Sequence, residues 1–158
     1  MAETNKNELK KFKEEARKAA YESENPKYEV TEKDGSTTLA YESGDWKFHD
    51  NYFGGDPYGG RTVYFYKGKP IQMMVYYGQV GKEYDADKVY GFLRKALRAP
   101  NKGEFRGPKE FNEGVYKYTN NWEGNEDKFK GEENIYKNNK LIYSAIYAGG
   151  LVDQREGD

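Results

Sequence analysis

The sequence predicts an α+β fold: a duplicated helix-plus-antiparallel-meander unit forming a curved or closed antiparallel sheet with two helices packed on it. Three observations predict it. Two segments, 8–22 and 86–98, carry apolar residues at helical spacing. Each is followed by short aromatic stretches of alternating pattern, punctuated by Gly, Asn and Asp turns. Those stretches also repeat along the chain at a shift of 70 to 71 residues.

In the first helical segment, Leu9, Phe12, Ala16, Ala19 and Ala20 share one stripe, and Pro26 stops any continuation. Residues 28–32 and 36–41 read as strands around a turn at Lys33, Asp34 and Gly35. Gly44 and Asp45 make the next turn, and 46–53 is strand-like and aromatic. GGDPYGG at 54–60 reads as a loop. Segments 61–66 and 71–77 form a hairpin around Lys67 and Gly68, with Pro70 favouring an edge position or a strand start. Asp85 can cap the second helix, whose apolar face is Val89, Phe92, Leu93, Ala96 and Leu97, and Pro100 stops it. A connection runs to about residue 112. Segments 115–119, 128–137 and 140–147 then read as strands, with Asn138 and Asn139 turning the last hairpin.

Aliphatic carbon is scarce in this chain: 4 Ile, 6 Leu and 7 Val in 158 residues. Sixteen Tyr and two Trp supply the missing apolar area, since each buried ring removes roughly 150–250 Å² from water. The core should be tyrosine-rich, its hydroxyls reaching the surface or a partner. With 27 acidic and 26 basic residues, no global field draws the protein to nucleic acid or an anionic membrane. The absence of Cys excludes a disulfide framework, a thiolate metal site and a cysteine nucleophile. The opening MAETNKNELKK has no apolar core of a signal peptide, and no run approaches the ~18 apolar residues that span a bilayer. The expectation is a cytoplasmic protein of one domain, 1–158, with halves of about 8–80 and 86–152 and a frayed tail at 153–158.

The repeat is specific. At a shift of 70, Trp46 meets Tyr116, Phe48 meets Tyr118, Asn51 meets Asn121, Tyr52 meets Trp122 and Gly54 meets Gly124. At 71, Gly60 meets Gly131, Ile71 meets Ile142, Val75 meets Ile146, Tyr76 meets Tyr147 and Gly78 meets Gly149. A helix-plus-meander unit cannot cover its own apolar face, so two such units should pack together. Ile71, Met73, Val75 and Tyr77 share one face of their strand, and Gln72, Met74 and Tyr76 the other. One face meets the helices; the other packs on a partner sheet or lines a cleft.

GDWKFHDNYFGG (44–55), VYFYKGKPIQMMVYYG (63–78), VYGFLRKALR (89–98), FRGP (105–108), FKGEENIY and the closing YAGGLV resemble the uncharacterised bacterial and archaeal domain-of-unknown-function family 5680. The resemblance covers roughly residues 28–152. Some members are joined to a helix-turn-helix DNA-binding domain, which implies a regulatory or ligand-sensing partner domain. Here the N-terminal helix is too short and solitary to be such a DNA-binding unit. The resemblance brings no catalytic residue with it.

The ligand-binding candidates are Trp46, Asp50, Tyr52, Tyr76, Arg106, Trp122 and Tyr147. Trp46, Tyr52 and Trp122 sit with Tyr116 at matching positions in the two units, where rings serve either as core or as stacking platforms for a planar ligand. Arg106, between an aromatic residue and a Gly-Pro turn, either clamps a carboxylate or phosphate or makes a structural salt bridge to the second unit. His49 and Asp50 adjoin on one strand and so point to opposite faces, which argues against a catalytic pair. GGDPYGG lacks the Lys-Ser/Thr ending and following helix of a phosphate loop. No metal site is expected, because the acidic loop residues Asp45, Asp50, Asp56, Glu123 and Asp127 follow no ligand spacing. No cofactor and no catalytic set are expected either.

The favoured reading is a non-catalytic ligand- or protein-binding and regulatory module with an aromatic cleft, its partner a small molecule or protein, and the chain a monomer or homodimer. Edge lysines such as Lys67 and Lys69 argue against edge pairing. The alternative is a small-molecule hydrolase or modifying enzyme using Asp50, Arg106 and the cleft tyrosines. A third, weaker reading is single-stranded nucleic-acid binding through rings and lysines.

Overall fold

The computed structural model describes residues 3–21, 29–101 and 105–155. The expected helix end at 22, the Pro26 stop and the strand start at 28 lie outside those residues. The elements run α1 (Glu3–Ala20), β1 (Glu29–Thr31), β2 (Thr37–Ser43), β3 (Trp46–Phe53), β4 (Tyr58–Tyr66) and β5 (Lys69–Val80). They continue as α2 (Ala86–Arg98), β6 (Glu110–Glu113), β7 (Tyr116–Asn125), β8 (Lys128–Lys137) and β9 (Lys140–Leu151). The fold is α+β. All nine strands form one antiparallel sheet in the order β1-β2-β3-β4-β5-β9-β8-β7-β6.

The sheet is open, which removes the closed alternative. Closure would need the two edge strands to pair, and β1 and β6, three and four residues long, instead end the ladder. Three further expectations are corrected. GGDPYGG is a loop only to Pro57: β4 begins at Tyr58, and the final glycines pair with β3. The connection before residue 112 contains β6, whose EFNE sequence carries little strand signal by itself. Lys67 and Lys69 lie at the β4–β5 turn inside the sheet rather than on an edge. Pro70, second in β5, sits where the β4–β5 register shifts between Tyr64 and Phe65, a position where the ladder does not need its missing N–H.

Asp85 caps α2 as its sequence indicated, accepting from the amides of Asp87 at 3.0 Å and Lys88 at 3.3 Å. The inner side of the sheet is buried in two main clusters. Leu9, Phe12, Ala16 and Ala20 of α1 join Leu39, Trp46, Phe48 and Tyr64. Val89, Phe92, Leu93, Ala96 and Leu97 of α2 join Val80, Tyr118, Ile135 and Tyr143. Each such large side chain withdrawn from water contributes about 1.5–3 kcal/mol. On β5, Gln72, Met74, Tyr76 and Val80 are buried while Val75 and Tyr77 are half exposed, as strand alternation requires.

The β5–β9 seam is reciprocal. Tyr76 opposes Tyr147, Gln72 opposes Leu151 and Val80 opposes Tyr143, so adding 71 to one residue of a pair returns the partner of another. The irregularities obey the same offset, at Tyr64/Phe65 and Ile135/Tyr136. Glycines clear the two seam tyrosines. A Cβ on Gly60 would lie 2.7 Å from the Tyr76 hydroxyl, and one on Gly131 would overlap the Tyr147 ring. Gly131→Ala should therefore destabilise the protein by about 1–3 kcal/mol. Gly55→Ala, where a Cβ meets nothing within 4 Å, should stay within about 0.5 kcal/mol of the parent. Urea unfolding of both variants gives the comparison, and equal stabilities would refute the steric role of Gly131.

Candidate functional site

Residues of the sheet and of both helices line a cavity of about 500 Å³. Asp50 of β3, Tyr76 of β5, Tyr58 of β4, Tyr90 and Arg94 of α2, and Arg106 form its polar wall, with Tyr52, Leu93 and Leu97 beside them. Alternation on β3 puts Trp46, Phe48 and Asp50 on the buried side, so a carboxylate interrupts an apolar stripe. The loop before β4 is tied down by Asp56, which accepts from the Val80 amide at 2.9 Å and the Tyr90 hydroxyl at 2.6 Å.

Asp50 is 3% exposed. Its Oδ1 accepts from the Tyr76 hydroxyl at 2.5 Å and the Thr62 hydroxyl at 3.3 Å. Burial raises its pKa to about 6, a rise moderated by the Tyr76 bond and by the charge of Arg106. Arg106 donates from Nε to Glu133 at 2.8 Å and from Nη2 to Tyr58 at 3.2 Å, and its guanidinium lies 4.7 Å from the Tyr76 ring centre. Glu133 is fully buried and also accepts from the Tyr118 hydroxyl at 2.5 Å. Tyr58 and Tyr143 share a short hydroxyl–hydroxyl contact behind this group. The FRGP segment holds Arg106 in place through a left-handed backbone, φ 69°, and a Gly107 so close to Tyr118 that a Cβ would lie 2.7 Å from its hydroxyl.

Of the residues singled out in the sequence, Asp50, Tyr52, Tyr76 and Arg106 share this cavity. Arg106 takes the salt-bridge form, its partner Glu133 lying on β8. Trp46 lies elsewhere, stacked 5.9 Å from Phe12 of α1 and tilted against Tyr66 at 4.8 Å. Trp122 and Tyr147 line a separate, apolar groove of about 790 Å³ with outward-facing Val75, Tyr77 and Ile146. The Tyr147 hydroxyl donates to Asn120 at 2.6 Å. His49, half-buried with its pKa lowered by desolvation, alternates away from Asp50. Among the described residues no group of three or more His, Asp and Glu side chains converges on a metal position.

Sequence reasoning missed Tyr58, Tyr90 and Glu133. Glu133 had a visible signal: on β8 it shares one face with Phe129 and Ile135, an acid on a buried face. Tyr90 lies three and seven residues before Leu93 and Leu97, on the flank of the apolar stripe. Tyr58 was hidden inside a glycine-rich stretch.

Fold and site together define an α+β protein with a polar, tyrosine-walled cavity on the inner face of one open sheet. The chain belongs to the family of the domain of unknown function DUF5680, whose sequence model matches residues 50–152. That span starts at Asp50 itself and takes in every polar residue of the cavity wall named above. No curated protein and no solved structure matches the chain. No described helix is long and apolar enough to cross a membrane.

Two stability measurements test the electrostatics. Asp50 titrates at about 6 when folded, against 3.8 as the unperturbed value. Well below pH 3.8 both states hold the proton. Between about pH 4 and 6 the unfolded state loses it first, so stability should fall by up to about 3 kcal/mol across that window and the penalty stay constant above it. Asp50→Asn lacks the titration, so its stability relative to the parent should climb from pH 4 to 6 and then level off in urea unfolding; a flat difference would contradict the raised pKa. Separately, Arg106→Met leaves Glu133 buried without its cation and should destabilise by about 3–5 kcal/mol, while adding Glu133→Gln, which removes the charge and keeps an oxygen for the Tyr118 hydroxyl, should restore most of the loss. Additive losses in the double variant would show that the two residues are not energetically paired.

Proposed function

We propose that this protein is a non-catalytic binding module that takes a small molecule into the cavity beside Asp50. One observation carries the reading: a buried carboxylate opens onto a space of about 500 Å³ walled by Tyr52, Tyr58, Tyr76 and Tyr90. That volume falls within the usual range for ligand pockets, and aromatic walls with convergent polar groups are a common way such pockets are built. The same reading takes the chain as one cytoplasmic domain made from a duplicated unit, halves about 8–80 and 86–152, with both helices on the inner face. The reciprocal β5–β9 seam and the repeated bulges support the duplication. The mixed clusters of helix and strand residues support the packing.

A thermal-shift screen of metabolites against the full chain tests this. At about a hundredfold over its Kd, a ligand should raise Tm by roughly 5–10 °C. Gly55→Trp should abolish the shift, because Gly55 lines the cavity and a side chain there enters open space. Hits unaffected by Gly55→Trp, or no hit across broad panels, would defeat the reading.

One observation favours an enzyme instead: a carboxyl group with a pKa of about 6 at a cavity wall suits general acid–base work on a small molecule. Turnover of any substrate by the parent that disappears in Asp50→Asn would establish this second reading.

A further inference from the structure

The interior holds three buried carboxylates among the described residues: Asp50, Glu126 and Glu133. Two of them have a cation in contact. Glu133 has Arg106 at 2.8 Å, and Glu126 has Lys13 at 2.7 Å, with the amide of Gln72 donating to the same carboxylate oxygen at 2.7 Å. Asp50 has none: no Lys, Arg or His nitrogen of the described residues lies within 4.0 Å of its oxygens. Arg106 is near enough to act on Asp50 through its charge, but its Nε and Nη2 are taken by Glu133 and Tyr58. Both hydrogen bonds to Asp50 fall on Oδ1, and both come from neutral hydroxyls. Oδ2 carries none, and Asp50 is the one buried carboxylate of the three that lines the cavity. A buried carboxylate without a cation is costly, so such groups are ordinarily paired.

A second comparison lies within the chain. Asn120 stands 70 residues after Asp50 and receives the equivalent tyrosine bond, from Tyr147 at 2.6 Å. Its amide nitrogen donates to the carbonyls of Phe105, at 2.5 Å, and Gly107, at 2.9 Å. Where the chain itself fills the space with acceptors, the residue is an amide that donates. Where the space is open, the residue is a carboxylate that only accepts. The rest of the cavity agrees with this. Among the described residues its acids are Asp50, Asp87 and Glu29; its bases are Arg94 and Arg106, and Arg106 is already held by Glu133. The ring faces of tyrosine attract cations as well.

We propose that the cavity binds a small organic cation, an ammonium or amidinium group seated against Asp50 Oδ2 among the tyrosine rings. This rests on the cavity being a ligand site and assigns the charge of what fills it. Binding of choline and benzylamine by the full chain at pH 8 is measured calorimetrically beside their neutral isosteres, 3,3-dimethylbutan-1-ol and benzyl alcohol, and beside benzoate. At least one cation should bind about ten-fold or more tightly than its isostere, and Asp50→Asn, which keeps an oxygen for Tyr76 and Thr62, should erase that advantage. The isostere comparison needs no variant, so it stands even if Asp50→Asn folds poorly. Equal or tighter binding of the alcohols or benzoate, or a cation preference that survives in Asp50→Asn, would overturn the proposal. So would failure of both cations while metabolite hits sensitive to Gly55→Trp persist; that outcome removes the charge assignment and leaves the cavity reading intact.

Discussion

A core built from phenols must find a hydrogen-bond acceptor for each hydroxyl that it buries, and this requirement organises the interior of the sheet. An unsatisfied buried hydroxyl costs on the order of 1–3 kcal/mol. Tyr76 meets Asp50, Tyr118 meets Glu133 and Tyr147 meets Asn120, at 2.5, 2.5 and 2.6 Å. The acceptors are themselves buried and polar, so each needs further partners. Glu133 takes Arg106, which brings the FRGP segment down onto the sheet, and Asn120 takes the carbonyls of that same segment. The shortage of aliphatic side chains thus leads, through tyrosine, to a polar network inside the protein and to the FRGP segment that partners it.

The two sides of the β5–β9 seam answer that requirement differently, and the cavity lies on the side of Asp50. Around Asn120 the chain closes over its own polar atoms, with Phe105 stacked 3.9 Å on Phe129. Lys13 lies 5.0 Å from the Phe105 ring and is held by Glu126, with its own pKa drawn down to about 8 by burial. Around Asp50 the hydrogen-bond partners among the described residues are two hydroxyls, and space remains beyond them. An arrangement that is near-symmetric in its backbone ladder is therefore asymmetric in charge and in filling.

Most of the fold could be read from the sequence because its signals are local. The Asp85 cap, the Asn138–Asn139 turn and the alternation on β5 and β9 are written in neighbouring residues. What escaped was set by distant partners. Glu110–Glu113 is a strand because β7 offers it a ladder, not because its residues favour one. Trp46 and Trp122 occupy matched positions, yet one is covered by α1 and the other stands edge-on to Phe105 at 6.1 Å, which only tertiary packing decides. Asp50 and Arg106 could be recognised as unusual, one an acid on an apolar face and the other an Arg in a Gly-Pro turn. Their separate counterparts, an empty space for one and Glu133 for the other, could not.

The seam between β5 and β9 carries a kinetic consequence. Its partners Tyr76 and Tyr147 are far apart in sequence, whereas β3-β4-β5 and β7-β8-β9 are joined by tight turns. Local hairpins close in microseconds, and non-local ladders wait for loop-closure entropy to be overcome. During synthesis, the border of β5 away from β4 therefore remains unpaired until β9 has emerged. Over that interval the outward Val75 and Tyr77 stand beside free backbone amides, which is the surface most prone to adhere to another nascent chain.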